Sequence, residues 1–206
     1  MFVLRCALLT FGLILGVWSE ACADGPLEVL GMVGVRQGRS GRYLQAHTDG
    51  ELHASNEHRN EEETWFLCAV DKPHHIYALV NWRNHRFMSA HSNGCARADS
   101  VILSNAEKWE LISGRSHGFE NAYAIRSVGT GHYLGAQDPG HDLACGGEVG
   151  CGTGAHAPIP PGGRNDNGWW VFEKAEKPTP GGPSFNDIVG VVVRVAPVAA
   201  SIIAAL

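Results

Sequence analysis

Short apolar runs alternate with polar positions through the middle of the chain, and nowhere between residues 24 and 176 does a sustained helical period take over. The stretches "GMVGVRQG" (31–38), "IYALVNW" (76–82) and "AYAIRSVG" (122–129) read as strands closed by polar or glycine positions. Each leads into a second short run that ends in a turn: "RYLQAHTDG" (42–50), "RFMSAHSNG" (86–94) and "HYLGAQDPG" (132–140). A third run closes each unit, as "ETWFLCAV" (63–70), "EKWELISG" (107–114) and "GWWVFEKA" (168–175). Superposing them aligns Tyr43, Phe87 and Tyr133, then Leu44, Met88 and Leu134, then Ala46, Ala90 and Ala136, and finally Trp65, Trp109 and either Trp169 or Trp170.

The spacing of 44 residues between Trp65 and Trp109 marks an internal repeat built of about four short strands. Three such units predict an all-β fold, a β-trefoil with pseudo-threefold symmetry: six strands close a barrel and six cap one end as hairpins. A propeller uses units of similar length, but three blades cannot close around a channel. On this reading the aligned aromatic, Leu or Met and Trp positions are core. The turns at His47 to Gly50, His91 to Gly94 and Gln137 to Gly140 face outward. Glycine supplies positive φ there, and Asp or Asn suits the neighbouring turn position.

The two ends of the chain read differently. Residues 1 to 23 carry Arg5, an apolar run from Cys6 to Val17 and the triplet Ala21-Cys22-Ala23, the pattern of a cleaved signal peptide. A dozen apolar residues do not span a hydrocarbon core of about 30 Å. The expected organisation is a signal peptide at 1–23, the trefoil at 24–176, a Pro/Gly linker at 177–187 and a hydrophobic tail at 188–206. The tail, "IVGVVVRVAPVAASIIAAL", is interrupted by Arg194 and Pro197. Three readings of it stand side by side: a glycolipid-anchor signal with Gly181, Gly182 and Ser184 as its small residues, a membrane-inserted or amphipathic segment, and an element packed on the domain. The expected location is therefore secreted or extracellular, with membrane anchoring through the tail as one outcome.

Of the six cysteines in the chain, Cys68, Cys95, Cys145 and Cys151 follow residue 23. An even number in an oxidising compartment suggests two disulfides with three connectivities open. The closeness of Cys145 and Cys151 in one glycine-rich stretch favours a local bridge, which leaves Cys68 with Cys95. No C-x-x-C pair is present, so no metal site is assigned. Only 18% of residues are charged, the net charge is −5, and the basic residues are scattered, which argues against nucleic acid as a partner.

"GRYLQAHTDGELHASNEHRNEEETWFL" and "RNHRFMSAHSNGCARADSVILSNAEKWELI" resemble the repeat units of fascin-like β-trefoils, the family of fascin and hisactophilin, above all in "GRYLQA" (41–46) and "AEKW" (106–109). The resemblance covers roughly residues 30 to 174. The third unit departs from it through the insertion "CGGEVGCGTGAHAPIPPGGRND" (145–166), and the Q-x-W signature of ricin-type trefoil lectins is missing at Glu63-Thr64-Trp65 and Glu107-Lys108-Trp109. The resemblance implies a binding scaffold without catalysis. Cytosolic members bind or bundle actin, and related secreted modules have carbohydrate-associated roles. A signal peptide sets actin behind a glycan or glycoconjugate as the expected partner.

No catalytic or phosphate-binding motif is present, so neither catalytic residues nor a cofactor are assigned. "NEEE" (60–63) reads as a solvated acidic loop. The histidines of the first two repeats, among them His53, His58, His74, His75 and His85, also offer a pH response. Sugar binding needs polar forks and an aromatic face. The candidate forks are His47 with Asp49, His91 with Asn93, and Gln137 with Asp138; Trp82, with Tyr77, is the candidate aromatic. These make a lectin-like binding module the leading expectation. A fascin-type protein-interaction module, and a membrane-active protein whose tail inserts, are the alternatives.

Overall fold

The computed structural model of the chain describes residues 27 to 136 and 168 to 177, and the backbone of residues 149 to 152. The expected signal peptide (1–23) and tail (188–206), nearly all of the expected linker, Gln137, Asp138, Cys145 and the side chain of Cys151 lie outside the described residues.

Twelve strands follow in chain order: β1 (Glu28–Gln37), β2 (Tyr43–Ala46), β3 (Leu52–Asn56), β4 (Thr64–Asp71), β5 (Ile76–Asn81), β6 (Phe87–Ala90), β7 (Ala96–Ser100), β8 (Trp109–Ser113), β9 (Ala122–Ser127), β10 (Tyr133–Ala136), β11 (Val149–Gly152) and β12 (Trp169–Lys174). The antiparallel pairs β1–β4, β4–β5, β5–β8, β8–β9, β9–β12 and β12–β1 close a ring of six. The remaining strands form the hairpins β2–β3, β6–β7 and β10–β11, joined to β1, β5 and β9, and they touch one another pairwise through β3, β7 and β11. This is the β-trefoil that the repeat predicts.

The barrel core holds Val35, Leu79 and Ile125, then Leu44, Met88 and Leu134, around Trp65, Trp109 and Trp170. Each of these indoles donates its Nε1–H to a buried carbonyl of the same repeat: Trp65 to Leu44 at 2.9 Å, Trp109 to Met88 at 2.9 Å and Trp170 to Leu134 at 3.1 Å. The bond assigns Trp170, not Trp169, as the third core tryptophan. It spans 21 residues in the first two repeats and 36 in the third, so the insertion lengthens the chain without disturbing the contact.

The aligned aromatics depart from expectation. Neighbours along a strand face opposite sides, so the residue before each core Leu or Met leaves the barrel. Phe87 packs in a second cluster with Phe66, Cys68 and Trp82, while Tyr43 and Tyr133 are half-buried.

The turns after β1, β5 and β9 repeat bond for bond. Gln37, Asn81 and Ser127 each accept a backbone N–H from four residues on, donated by Gly41, His85 and Gly131 at 3.0, 3.0 and 2.8 Å. Those three donors sit at φ +74°, +58° and +73°, where glycine is unstrained and histidine is not. Replacing His85 by glycine is therefore expected to gain up to about 1 kcal/mol, strain relief outweighing the added freedom of the unfolded chain. Burial holds the His85 imidazole below its ordinary 6.5, partly opposed by a hydrogen bond with the Trp82 backbone. A depressed folded value favours the neutral ring. The stability tied to it is complete above pH 6.5 and falls as the pH drops through the folded value. Urea midpoints from pH 7 to pH 5 should show a smaller acid-side loss for His85→Gly than for wild type; parallel curves would refute the assignment.

Candidate functional site

The structure joins two of the three predicted forks into one polar surface. The β2–β3 turn docks on β7: the Gly50 carbonyl accepts the Ala98 N–H at 2.8 Å, and the Asp49 carbonyl accepts Arg97 Nη2 at 2.8 Å. Arg97 lies 3.7 Å from Glu51 and 3.5 Å from Asp99, and Asp99 lies 3.3 Å from His91. His47 meets His53 edge-on with ring centres 4.5 Å apart.

The carboxamide and carboxylate of the forks already have tasks. Asp49 Oδ1 accepts the Glu51 N–H and Asn93 Oδ1 accepts the Cys95 N–H, both at 3.0 Å. They close the hairpin turns in the manner of side chains that mimic a backbone turn. The structure gives Asp49 and Asn93 a hairpin role that needs no ligand.

Trp82 is a correction. It is 4% exposed and packs on Phe66 with ring centres 5.3 Å apart, under the Lys177 ammonium at 5.7 Å. Its indole fills the junction between the first and second repeats and offers no open face. Tyr77 is half-buried on β5.

The expected Cys68–Cys95 bridge is a second correction. Cys68 is a free thiol, fully buried in the cluster of Phe66, Val80 and Trp82, and burial pushes its pKa up to about 12. Cys95 is disulfide-bonded, and its partner lies outside the residues whose side chains are described. Cys68 sits on β4 facing away from the barrel, whereas Cys95 ends the β6–β7 turn. Sequence spacing carried no sign of that separation.

The acidic loop is a third correction. Glu63 is 1% exposed; its carboxylate accepts Asn56 Nδ2 at 2.5 Å and the Asn60 backbone N–H at 2.8 Å. Glu107 makes the same bond to the Ser104 N–H at 2.7 Å in the second repeat, as part of a capping box over the turn Asn105–Glu107. The spacing N-x-x-E ahead of Trp65 and S-x-x-E ahead of Trp109 was the readable signal.

Beside Glu63 the first repeat opens into a groove of about 370 Å³ at its junction with the second. Gln45 on β2 donates to Glu62 Oε2 at 2.6 Å and accepts from Ser55 Oγ at 3.1 Å. Asn56 on β3 and Asn60 line another side, and Arg83 bonds Glu61 at 3.1 Å. Asn81 holds the acidic segment in place: its side-chain amide donates to the Glu62 carbonyl at 2.8 Å. The groove thus presents amides, carboxylates and one guanidinium, planar groups held by one another and aimed from four different segments. Such a set exchanges hydrogen bonds with vicinal hydroxyls. Sequence reasoning named none of these residues as ligands, because they come together only through the barrel closure.

A search of family models found none that matches the chain, and no curated protein matches it. Solved structures do. The chain is similar to "BEL beta-trefoil apo crystal form 3" at 16% identity, covering 74% of this chain and 98% of that one with a TM-score of 0.54. It is similar to "SeviL bound to asialo-GM1 saccharide" at 13% identity, covering 71% and 98% with a TM-score of 0.51. The Polyporus squamosus lectin, bound to a human-type influenza-binding epitope, matches at 15% identity over 70% of this chain and 49% of its own, with a TM-score of 0.54. At these identities the likeness is one of fold.

Proposed function

We propose that the chain is a secreted glycan-binding module and that the first-repeat groove is its principal site. The observation that carries this reading is the groove itself, lined by Gln45, Asn56, Asn60, Glu62 and Arg83. A wall of planar polar groups complements a hydroxyl-rich ligand, and hydrophobic ligands gain little from it. The shared fold with saccharide-bound trefoils adds an analogy. The disulfide at Cys95 supports passage through an oxidising compartment, in keeping with residues 1 to 23 as a signal peptide. The reading moves the ligand from the turn tips to the groove beside them. The tail at 188–206 would then hold the module at a membrane, where weak sites gain from avidity. The fascin-like resemblance rests on the core and turn residues quoted above and supplies no actin surface.

A glycan array of the oxidised, full-length secreted protein tests the proposal, with Gln45→Ala and Asn60→Ala as variants. Selective binding weakened about tenfold in each variant is the expected result, the effect of one lost hydrogen bond at an occupied site. A blank array from folded protein, or binding indifferent to both variants, would sink it.

A further inference from the structure

The threefold repeat supplies its own control for what folding requires. Gln37, Asn81 and Ser127 hold equivalent positions, so the residues before them, Arg36, Val80 and Arg126, do too. Two of the three are tied down outside the barrel by carboxylates: Arg36 by Glu173 at 2.6 Å and Arg126 by Glu110 at 2.8 Å. Val80 instead faces Phe66 across the β4–β5 pair, and both are buried in the outer cluster with Cys68, Ala78, Trp82 and Phe87. One side of the barrel is thus apolar where the trefoil elsewhere accepts an ion pair.

The loop after β7 makes the same exchange. Where the first repeat has Glu57, His58 and Arg59, the second, 44 residues on, has Val101, Ile102 and Leu103. Arg59 lies over the Tyr43 ring at 6.0 Å, and Leu103 packs against the cluster that holds Phe87, so this position changes together with its aromatic neighbour. Packing gives no such account of the other two. Val101 is 41% and Ile102 62% exposed, and the exposed Glu57 and His58 show that the loop does not need apolar residues there. Among the described residues the exposed large apolar side chains are Leu30, Val101, Ile102 and Val128, and only Val101 and Ile102 are adjacent in the chain. Ser100 fixes their turn: its Oγ donates to the Ile102 carbonyl at 2.9 Å and accepts the Ile102 N–H at 3.1 Å.

The last described residues run along this side of the barrel. The Ala175 N–H donates to the Met32 carbonyl at 2.9 Å, and the Lys177 ammonium stands 5.7 Å from the centre of the Trp82 ring. Met32, Trp82 and Leu103 belong to one cluster, so Lys177 and the Val101–Ile102 tip border the same apolar surface. Residues 178–187 join Lys177 to the tail at 188–206, a tether of at most about 40 Å. A tail seated in lipid therefore brings this side of the trefoil to the bilayer. A second copy of the chain is a poor occupant, because two side chains fall far short of the roughly 1,200 Å² that a specific protein interface buries. A bilayer demands no matching shape, and apolar side chains that meet its interface gain by leaving water.

We infer that the Val101–Ile102 tip is a lipid contact, entering the interface of the bilayer that holds the tail. It rests on the membrane-held reading of residues 188–206 proposed above and is independent of the glycan groove. The probe is a phosphatidylcholine bicelle carrying a spin-labelled lipid, added to full-length protein labelled with ¹³C at the isoleucine methyls. The Ile102 resonance is identified by its loss in Ile102→Val. The expected result is selective broadening of this resonance, while Ile76 and Ile125 in the barrel keep their intensity. Val101→Glu combined with Ile102→His installs the residues that the first repeat already carries, and it should weaken partitioning into phosphatidylcholine vesicles about tenfold. Bicelle-bound protein whose Ile102 resonance is untouched overturns the inference and leaves the tail to anchor alone. Protein that stays off the bicelles removes the tip and the membrane-held reading together, and glycan binding sensitive to Gln45→Ala would survive either failure.

Discussion

Replacing Trp109 by alanine is expected to cost about 3–5 kcal/mol of stability. Trp109 is fully buried, lies at the start of β8 and packs among Met88, Leu79 and Ile125. Its removal opens a large cavity and also strips the Met88 carbonyl of its donor at 2.9 Å. The two losses separate experimentally. Trp109→Phe keeps most of the apolar volume and leaves the carbonyl unpaired, so it should cost about 1–3 kcal/mol. Since a domain of this kind holds about 5–15 kcal/mol in total, the alanine variant will sit near its threshold at 25 °C. Denaturant midpoints of the two variants provide the check. Equal midpoints for Phe and wild type would mean that the repeated indole bond is an accident of packing.

That repeated bond also shows why so much of the fold was readable. A threefold barrel must present the same buried surface three times, so the core positions Leu44, Met88 and Leu134 recur in sequence as they recur in space. The choice between Trp169 and Trp170 was not readable. Both follow the same insertion, and only the indole bond to Leu134 separates them. Nor was the fate of Tyr43 and Phe87, which share a repeat position. One is half-buried with its hydroxyl on Glu173 at 2.6 Å, and the other is packed in an outer cluster. Recurrence identifies a face only where that face is the symmetric one.

The candidate sites were legible in proportion to how local they are. Asp49 and Asn93 stood out as polar turn residues, and the same turns consume their oxygens. The groove residues Gln45 on β2, Asn60 between β3 and β4, and Arg83 between β5 and β6 converge through long-range pairing. Gly38, in the turn after β1, donates its N–H at 2.8 Å to the carbonyl of Trp169, more than a hundred residues away. Sequence proximity held no trace of either. What could be read was the failure of the repeat: Gly38, Trp82 and Val128 are equivalent in backbone bonding and unlike in every other respect.

Cys95→Ser is expected to cost about 2–4 kcal/mol, and a reducing agent should cost the wild type a similar amount. Cys95 is 2% exposed and follows the Asn93 turn, so its disulfide fastens the tip of the β6–β7 hairpin, the cap of the second repeat. The His91 N–H donates to the Cys95 carbonyl at 2.8 Å, which ties the turn to the same residue. The variant and the reduced wild type should therefore melt together, and reductant should not shift the variant further. Cys68 supplies an internal reporter. Its thiol is buried and held protonated, with a pKa of about 12, while alkylation requires the thiolate. Native protein should leave it unlabelled by iodoacetamide at pH 8, and labelling should follow unfolding with the same midpoint as the loss of tryptophan signal. A reductant that leaves the wild-type midpoint in place would show that the cap hairpin is held by its packing against β3 and β11 alone, and the disulfide would then have no part in the stability of the trefoil.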